Sequence, residues 1–252
     1  MTHLTLPIPN ETPAVWETFK PFVNRYLSTL VRIDPGADYL LHPVYTAEWN
    51  DELKSLFNGI NHEPTHYPGQ GWDIGAAQWM AHLLPPDDLV VSFSTRSYFH
   101  RDGWLAELIK AREKFGPGLY GTSSSHQYKG HVCVRSYLLD VKDYQSYPWT
   151  IDSRALGPCF EAGVPYTHPE VGKGMLSITD WMLRRGPVKV VRFDGVFDWK
   201  KAILTPGGFR SGDQREMLVW DKHSQIYADS DESYRRKLED CTRAPSRMHY
   251  DV

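Results

Sequence analysis

Only three cysteines occur in the 252 residues, Cys133, Cys159 and Cys241, and none belongs to a C-x-x-C pair. Such spacing offers neither a disulfide framework nor a structural zinc site, and it fits a reducing compartment. No stretch approaches the roughly 20 apolar residues that a membrane-spanning helix needs. The start, MTHLTLPIPNET, has no basic segment leading into an apolar one, so neither export nor anchoring is expected and the cytoplasm is the expected location. A surplus of positive charge is also missing: 28 Lys and Arg stand against 31 Asp and Glu. That balance gives no extended field to draw duplex nucleic acid or anionic lipid. A G-x-S-x-G elbow and a P-loop are absent, and the G-x-G-x-x-G string from Gly116 to Gly121 leads out of a helical pattern into a strand, the reverse of the strand-to-helix turn of a dinucleotide site, which argues against hydrolase, kinase and dehydrogenase chemistry.

What is present reads as one mixed α/β domain. Hydrophobic residues make up 41% and charged residues 23%, ordinary for a globular chain, and no repeat or linker divides it. Nine tryptophans raise the aromatic share to 13%; such rings fill large cores and also stack on the C–H faces of sugars. Apolar periodicity predicts helices over 14–30, 50–57, 72–84, 103–115, 153–162 and 176–183. Strands are predicted over 38–46, 88–94, 119–122, 131–139 and 188–193, that at 88–94 being apolar enough for the middle of a parallel sheet. Residues 1–37 read as an N-terminal helical extension, 38–229 as the main domain and 230–252 as a charged tail, helical at first.

Between Gly69 and Gly121 four elements follow in order: Gly71-Trp72-Asp73-Ile74-Gly75-Ala76 entering a helix, the strand from Asp88 to Phe93, Gly103-Trp104-Leu105 opening a helix, and Gly118 to Gly121 as the next strand. This order and spacing resemble the central half of the GT-A nucleotide-sugar glycosyltransferases. A second patch, Asp194-Gly195-Val196-Phe197 through Phe209 to Gln214 and on to Trp220-Asp221-Lys222-His223, is similar to the C-terminal part of small bacterial and viral members. The resemblance spans roughly residues 39 to 227. It implies a GT-A, Rossmann-like fold with a central, mostly parallel sheet flanked by helices. It also implies transfer of a sugar from a nucleoside diphosphate to a hydroxyl of a glycan or other acceptor, in polysaccharide or glycoconjugate synthesis.

The chain departs from that family where the buried strand should end in an acidic, metal-binding D-x-D: it has Ser94-Thr95-Arg96. A divalent cation wants hard oxygen ligands. Two readings stay open: Arg96 neutralises the diphosphate as a forked cation, or Mn²⁺ or Mg²⁺ is held by Asp221 and His223, a D-x-H resembling a third metal-ligand position. Gly71, Asp73 and Gly75, with Ser94, Thr95 and Arg96, are the expected donor-binding residues. Glu161, with Asp152 as the alternative, corresponds to the general base of inverting members, and Arg96 joins them as a catalytic candidate. His131 and Arg135 on one strand, and Arg210, Asp213 and Gln214 in a glycine-rich loop expected to close over the site, are the acceptor candidates. A GT-A domain that binds nucleotide sugar or glycan without turnover is the alternative. A nucleotidyltransferase would need a glycine-rich, cationic loop after its first strand, and the segment after Thr46 is not one.

Overall fold

The computed structural model describes residues 1–69, 72–126, 130–133, 135–148 and 177–244. Among the described residues ten strands are formed: β1 (Thr2–Ile8), β2 (Leu40–Tyr45), β3 (Thr65–His66), β4 (Leu89–Phe93), β5 (Leu119–Gly121), β6 (Ser124–Ser125), β7 (His131–Val132), β8 (Ser136–Asp140), β9 (Val188–Arg192) and β10 (Gly195–Asp198). Eight of them make one sheet in the order β10-β9-β5-β8-β4-β1-β2-β3, and β6 pairs with β7 in a separate two-stranded ladder. Six of the eight run the same way, while β8, inside the sheet, and β10, at its edge, are reversed. The expected mostly parallel sheet is present.

Helices cover both faces. On one lie α1 (Pro13–Arg32), α2 (Asp51–Leu56) and α4 (Trp104–Phe115). On the other lie α3 (Trp72–Leu83), α5 (Val141–Gln145), α6 (Ile178–Met182) and α7 (Trp199–Leu204). Successive strand residues alternate between the two cores: Val91 and Phe93 of β4 join the first, Val90 the second. The first core is aromatic, with Phe99 stacked on the fully buried Trp104 at 4.1 Å and Phe93 edge-on to both. Each such side chain contributes about 1.5–3 kcal/mol by leaving water. Two further helices, α8 (Lys222–Asp229) and α9 (Glu232–Arg243), complete the described chain. Among the described residues no helix is long and apolar enough to cross a membrane.

Two expectations change. The first segment was read as helical only, yet Thr2–Ile8 is a buried strand between β2 and β4. Thr12 then caps α1 through the Val15 amide, with Pro13 in its first turn, as the Thr-Pro pair permits. The single strand expected over 131–139 is two, β7 and β8, and Arg135 lies in the turn before β8. His131 and Arg135 therefore do not share a strand face. The helix expected over 153–162 lies outside the described residues. Gly121, by contrast, is explained: a Cβ there would stand 2.1 Å from Val132 Cγ1, so β7 can cross only over a residue with no side chain.

Candidate functional site

A cleft of about 570 Å³ opens where β1, β2, β3 and β4 end. These strands are parallel, and their carboxyl ends are where open α/β sheets bind ligands. Pro7 and Ile8 of β1, Val44 of β2 and Ser94, Thr95 and Arg96 after β4 form its floor; Thr12, Val15 and Phe19 of α1 form one wall, and Tyr67, Gly69, Asp73 and Ala76 another. The donor candidates Asp73, Ser94, Thr95 and Arg96 are thus brought together. Gly71 lies outside the described residues. The residues of β1 and α1 were missed by sequence reading, although Leu4, Leu6 and Ile8 alternate as a strand should.

Ser94 and Thr95 shape the cleft more than they offer groups to it. Thr95 Oγ1 donates to the Pro7 carbonyl at 2.8 Å, tying the end of β4 to β1. Ser94 N donates to the Arg135 carbonyl at 2.9 Å. Arg96 differs. Its Nε is closed off from water without a hydrogen-bond partner, and among the described residues its guanidinium meets the rings of Phe19 at 5.0 Å and Phe22 at 5.7 Å and no carboxylate. A cation so placed, in the floor of a cleft and resting on aromatic faces, has its donor edge available to an anion.

Asp73 starts α3, and its carboxyl is pushed up to about 6: burial raises it, and the attraction of Arg96 and then Arg135 lowers it without prevailing. Arg135 also acts on Asp221. Its Nη1 stands 2.8 Å from Asp221 Oδ2 as an ion pair, off the line of a hydrogen bond, and its guanidinium lies 4.2 Å over Phe209. Arg210 stacks on the same ring at 4.5 Å and donates from Nη2 to His223 Nδ1 at 2.9 Å. Arg210 is 2% exposed and holds φ +49, a conformation that a non-glycine residue keeps only where its surroundings impose it.

The loop that carries Arg210 is held, not free to swing. Gly212 N donates to Tyr227 Oη at 2.9 Å, Tyr227 Oη donates to Glu239, and Arg243 Nη2 donates to Ser211 Oγ at 3.1 Å. The glycines suggested a closing loop; the hydroxyl and carboxylate that pin it come from α8 and α9, which no local pattern could reveal. Asp213 caps the short 3-10 turn Gln214–Glu216 and pairs with the exposed Arg215. Gln214 is buried beside Trp220, whose Nε1 donates to the Gln214 carbonyl at 2.9 Å. His131 is buried in β7. Glu161 and Asp152 lie outside the described residues.

The residues proposed to hold a divalent cation do not fit one. Asp221 caps α8: its Oδ1 accepts from His223 N and Ser224 N, each at 2.9 Å, while Oδ2 faces Arg135. His223 has committed its Nδ1 lone pair to Arg210. Among the described residues no three His, Cys, Asp or Glu side chains are grouped as metal ligands.

No known family's sequence profile matches the chain, and no curated protein matches it. Its structure is similar to a Bacillus anthracis protein provisionally assigned as a glucose-1-phosphate thymidylyltransferase, determined in complex with a sucrose, at TM-score 0.50 and 10% identity over 100% of this chain and 98% of that one. Smaller overlaps exist with mouse xyloside xylosyltransferase 1 (TM-score 0.42, 11% identity, 59% of this chain and 70% of that one) and with a Pyrobaculum calidifontis mannosyltransferase in complex with GDP-Man and Mn²⁺ (0.40, 11%, 55% and 44%). The first establishes a shared fold. With the sheet order and the flanking helices it makes this an α/β protein with a Rossmann-like, GT-A-type fold.

Proposed function

We propose that the protein is a glycosyltransferase that moves a sugar from a nucleoside diphosphate to a hydroxyl of a glycan or other acceptor. The observation that carries this is Arg96, a cation in the cleft at the end of β4 that acts on the Asp73 carboxyl from a distance and is in ion-pair contact with no carboxylate among the described residues. The acceptor oxygen would attack the anomeric carbon as the bond from that carbon to the diphosphate oxygen breaks, and Arg96 would face the charge that the leaving diphosphate gains. Asp73 would accept from donor groups of the nucleoside. Glu161, or Asp152, would take the acceptor's proton. Mn²⁺ or Mg²⁺ belongs to the family's pattern, and the engaged state of Asp221 and His223 favours the reading without it.

A nucleotidyltransferase is disfavoured by the loop after the true first strand. Pro9-Asn10-Glu11-Thr12 has no glycine and no cation, and Asn10 is spent on the Thr46 and Ala47 amides. Binding without turnover is favoured by one feature only, the lost acidic triplet. The test is a thermal-shift screen of UDP, GDP, dTDP and CDP, followed by an assay of sugar release from the sugar nucleotide of whichever stabilises. Stabilisation with release supports a transferase; stabilisation without release, acceptors supplied, supports the binding module. Failure of every nucleotide to stabilise a folded protein rejects both. Glu161→Gln is expected to abolish transfer and leave donor binding intact, with retained transfer pointing to Asp152.

A further inference from the structure

The most informative cluster outside the cleft floor is Asp221, His223, Arg135 and Arg210. Arginine has protons to give and no lone pair to accept with. Because Arg210 Nη2 lies 2.9 Å from His223 Nδ1, that nitrogen is the acceptor, the ring is neutral, and its proton sits on Nε2. A metal ligand would need a lone pair on the nitrogen it offers, and Nε2 has none to give in this tautomer. Asp221 is likewise held by the start of α8 and by Arg135. The D-x-H that resembles a metal site has been converted by two arginines into a hydrogen-bond donor beside a neutralised carboxylate. The Arg135 carbonyl accepts from Ser94 N and from Ser97 Oγ, each at 2.9 Å, which joins this cluster to the strand end that carries Arg96, and Arg135 and Arg96 both help to lower the proton affinity of the His223 ring.

We infer that protein donors stand where a divalent cation would: the diphosphate is held by Arg96, Arg135 and the Nε2–H of His223, and Arg210 is the positioning residue that fixes the His223 tautomer. This rests on the nucleoside-diphosphate reading above. Donation by a neutral imidazole costs no proton and continues as charge builds on the leaving oxygen.

The experiment is calorimetry of UDP, GDP, dTDP, CDP and inorganic pyrophosphate with the full chain, each in EDTA and in Mn²⁺. The expected result is that at least one nucleoside diphosphate binds in EDTA with a Kd within about twofold of that in Mn²⁺. Arg96→Met is expected to weaken it at least tenfold, the scale of one lost charge-assisted contact. His223→Gln, which keeps an N–H, should bind in EDTA, and His223→Phe should not. Nitrogen-15 spectra of the wild-type histidine rings test the positioning role, which a packing role would not move: His223 is expected as the Nε2–H tautomer between pH 6 and 8, and Arg210→Met should release it to a mixture. If Arg210→Met does not fold, the wild-type spectrum decides alone. Binding that requires Mn²⁺ overturns the inference and leaves the transferase reading standing, whereas no binding in either buffer overturns both. A His223 ring found protonated on Nδ1 also overturns it.

Discussion

The other end of the sheet carries a buried polar chain that makes the fold sensitive to acid. Asp88 Oδ2 is 3.0 Å from His3 Nε2, and His3 Nδ1 is 2.9 Å from His42 Nε2. With Asp88 ionised, donation runs outward: His42 donates from Nε2 to His3 Nδ1, and His3 donates from Nε2 to the carboxylate. His42 is 1% exposed, and burial, then the charge of His3, holds it down to about 4 from 6.5. The unfolded chain takes that proton near 6.5, so between 6.5 and 4 it binds more protons than the folded protein, and stability falls as pH falls. From pH 7 to pH 5 the loss from this one group is about 2 kcal/mol, at about 1.4 kcal/mol per unit of separation. The assay is urea unfolding followed by tryptophan fluorescence at both pH values, for the wild type and for His42→Gln, which keeps an N–H for His3 and cannot titrate. Asp73 and Asp88 titrate in both proteins, so the difference between them isolates His42. The wild type is expected to lose about 2 kcal/mol more than the variant. Equal losses would refute the reasoning.

Asp73→Asn should move stability and binding in opposite directions. A carboxyl raised from 3.8 to about 6 costs the folded state about 3 kcal/mol above pH 6, so the variant should gain most of that at pH 7.5 in urea unfolding while losing nucleotide affinity in calorimetry; unchanged affinity removes Asp73 from the site. Gly121→Ala should destabilise by about 1–3 kcal/mol through its collision with Val132, and adding Val132→Ala should return part of it. A double variant no better than the single one would show that the crossing is not the cause.

How much of this was legible depends on where each signal is stored. Strand β4, helix α4 and the start of α3 announced themselves because burial on both faces, or on one stripe, leaves a local pattern of apolar residues. Strand β1 did not, since Pro7 and Pro9 and the threonines around them read as loop; its Thr5 and His3 are polar yet buried, satisfied by the Val91 carbonyl and by the His42–Asp88 chain. The polar triplet Ser94-Thr95-Arg96 was found because ligands gather where parallel strands end, a rule about topology that needs only the strand. The division of labour inside it was not legible, because Thr95 turns to Pro7 and Arg96 turns to Phe19 through contacts with residues about 80 positions away in sequence.

The D-x-H segment shows the same limit in its sharpest form. Two residues at i and i+2 on an extended segment could share one ion, but Asp221 ends the extended run and begins α8, and its carboxylate turns to the free amides of that first turn. A helix start competes with a cation for the same oxygens, and here the helix holds them with Arg135 added across Oδ2. What decides between ligand and cap is therefore not the spacing of Asp221 and His223. It is the presence of Arg135 before β8 and of Arg210 in the loop pinned by Tyr227, neither of which is near the motif in sequence. Replacing either arginine tests that argument more directly than replacing Asp221, whose loss would fray the helix whatever its other role.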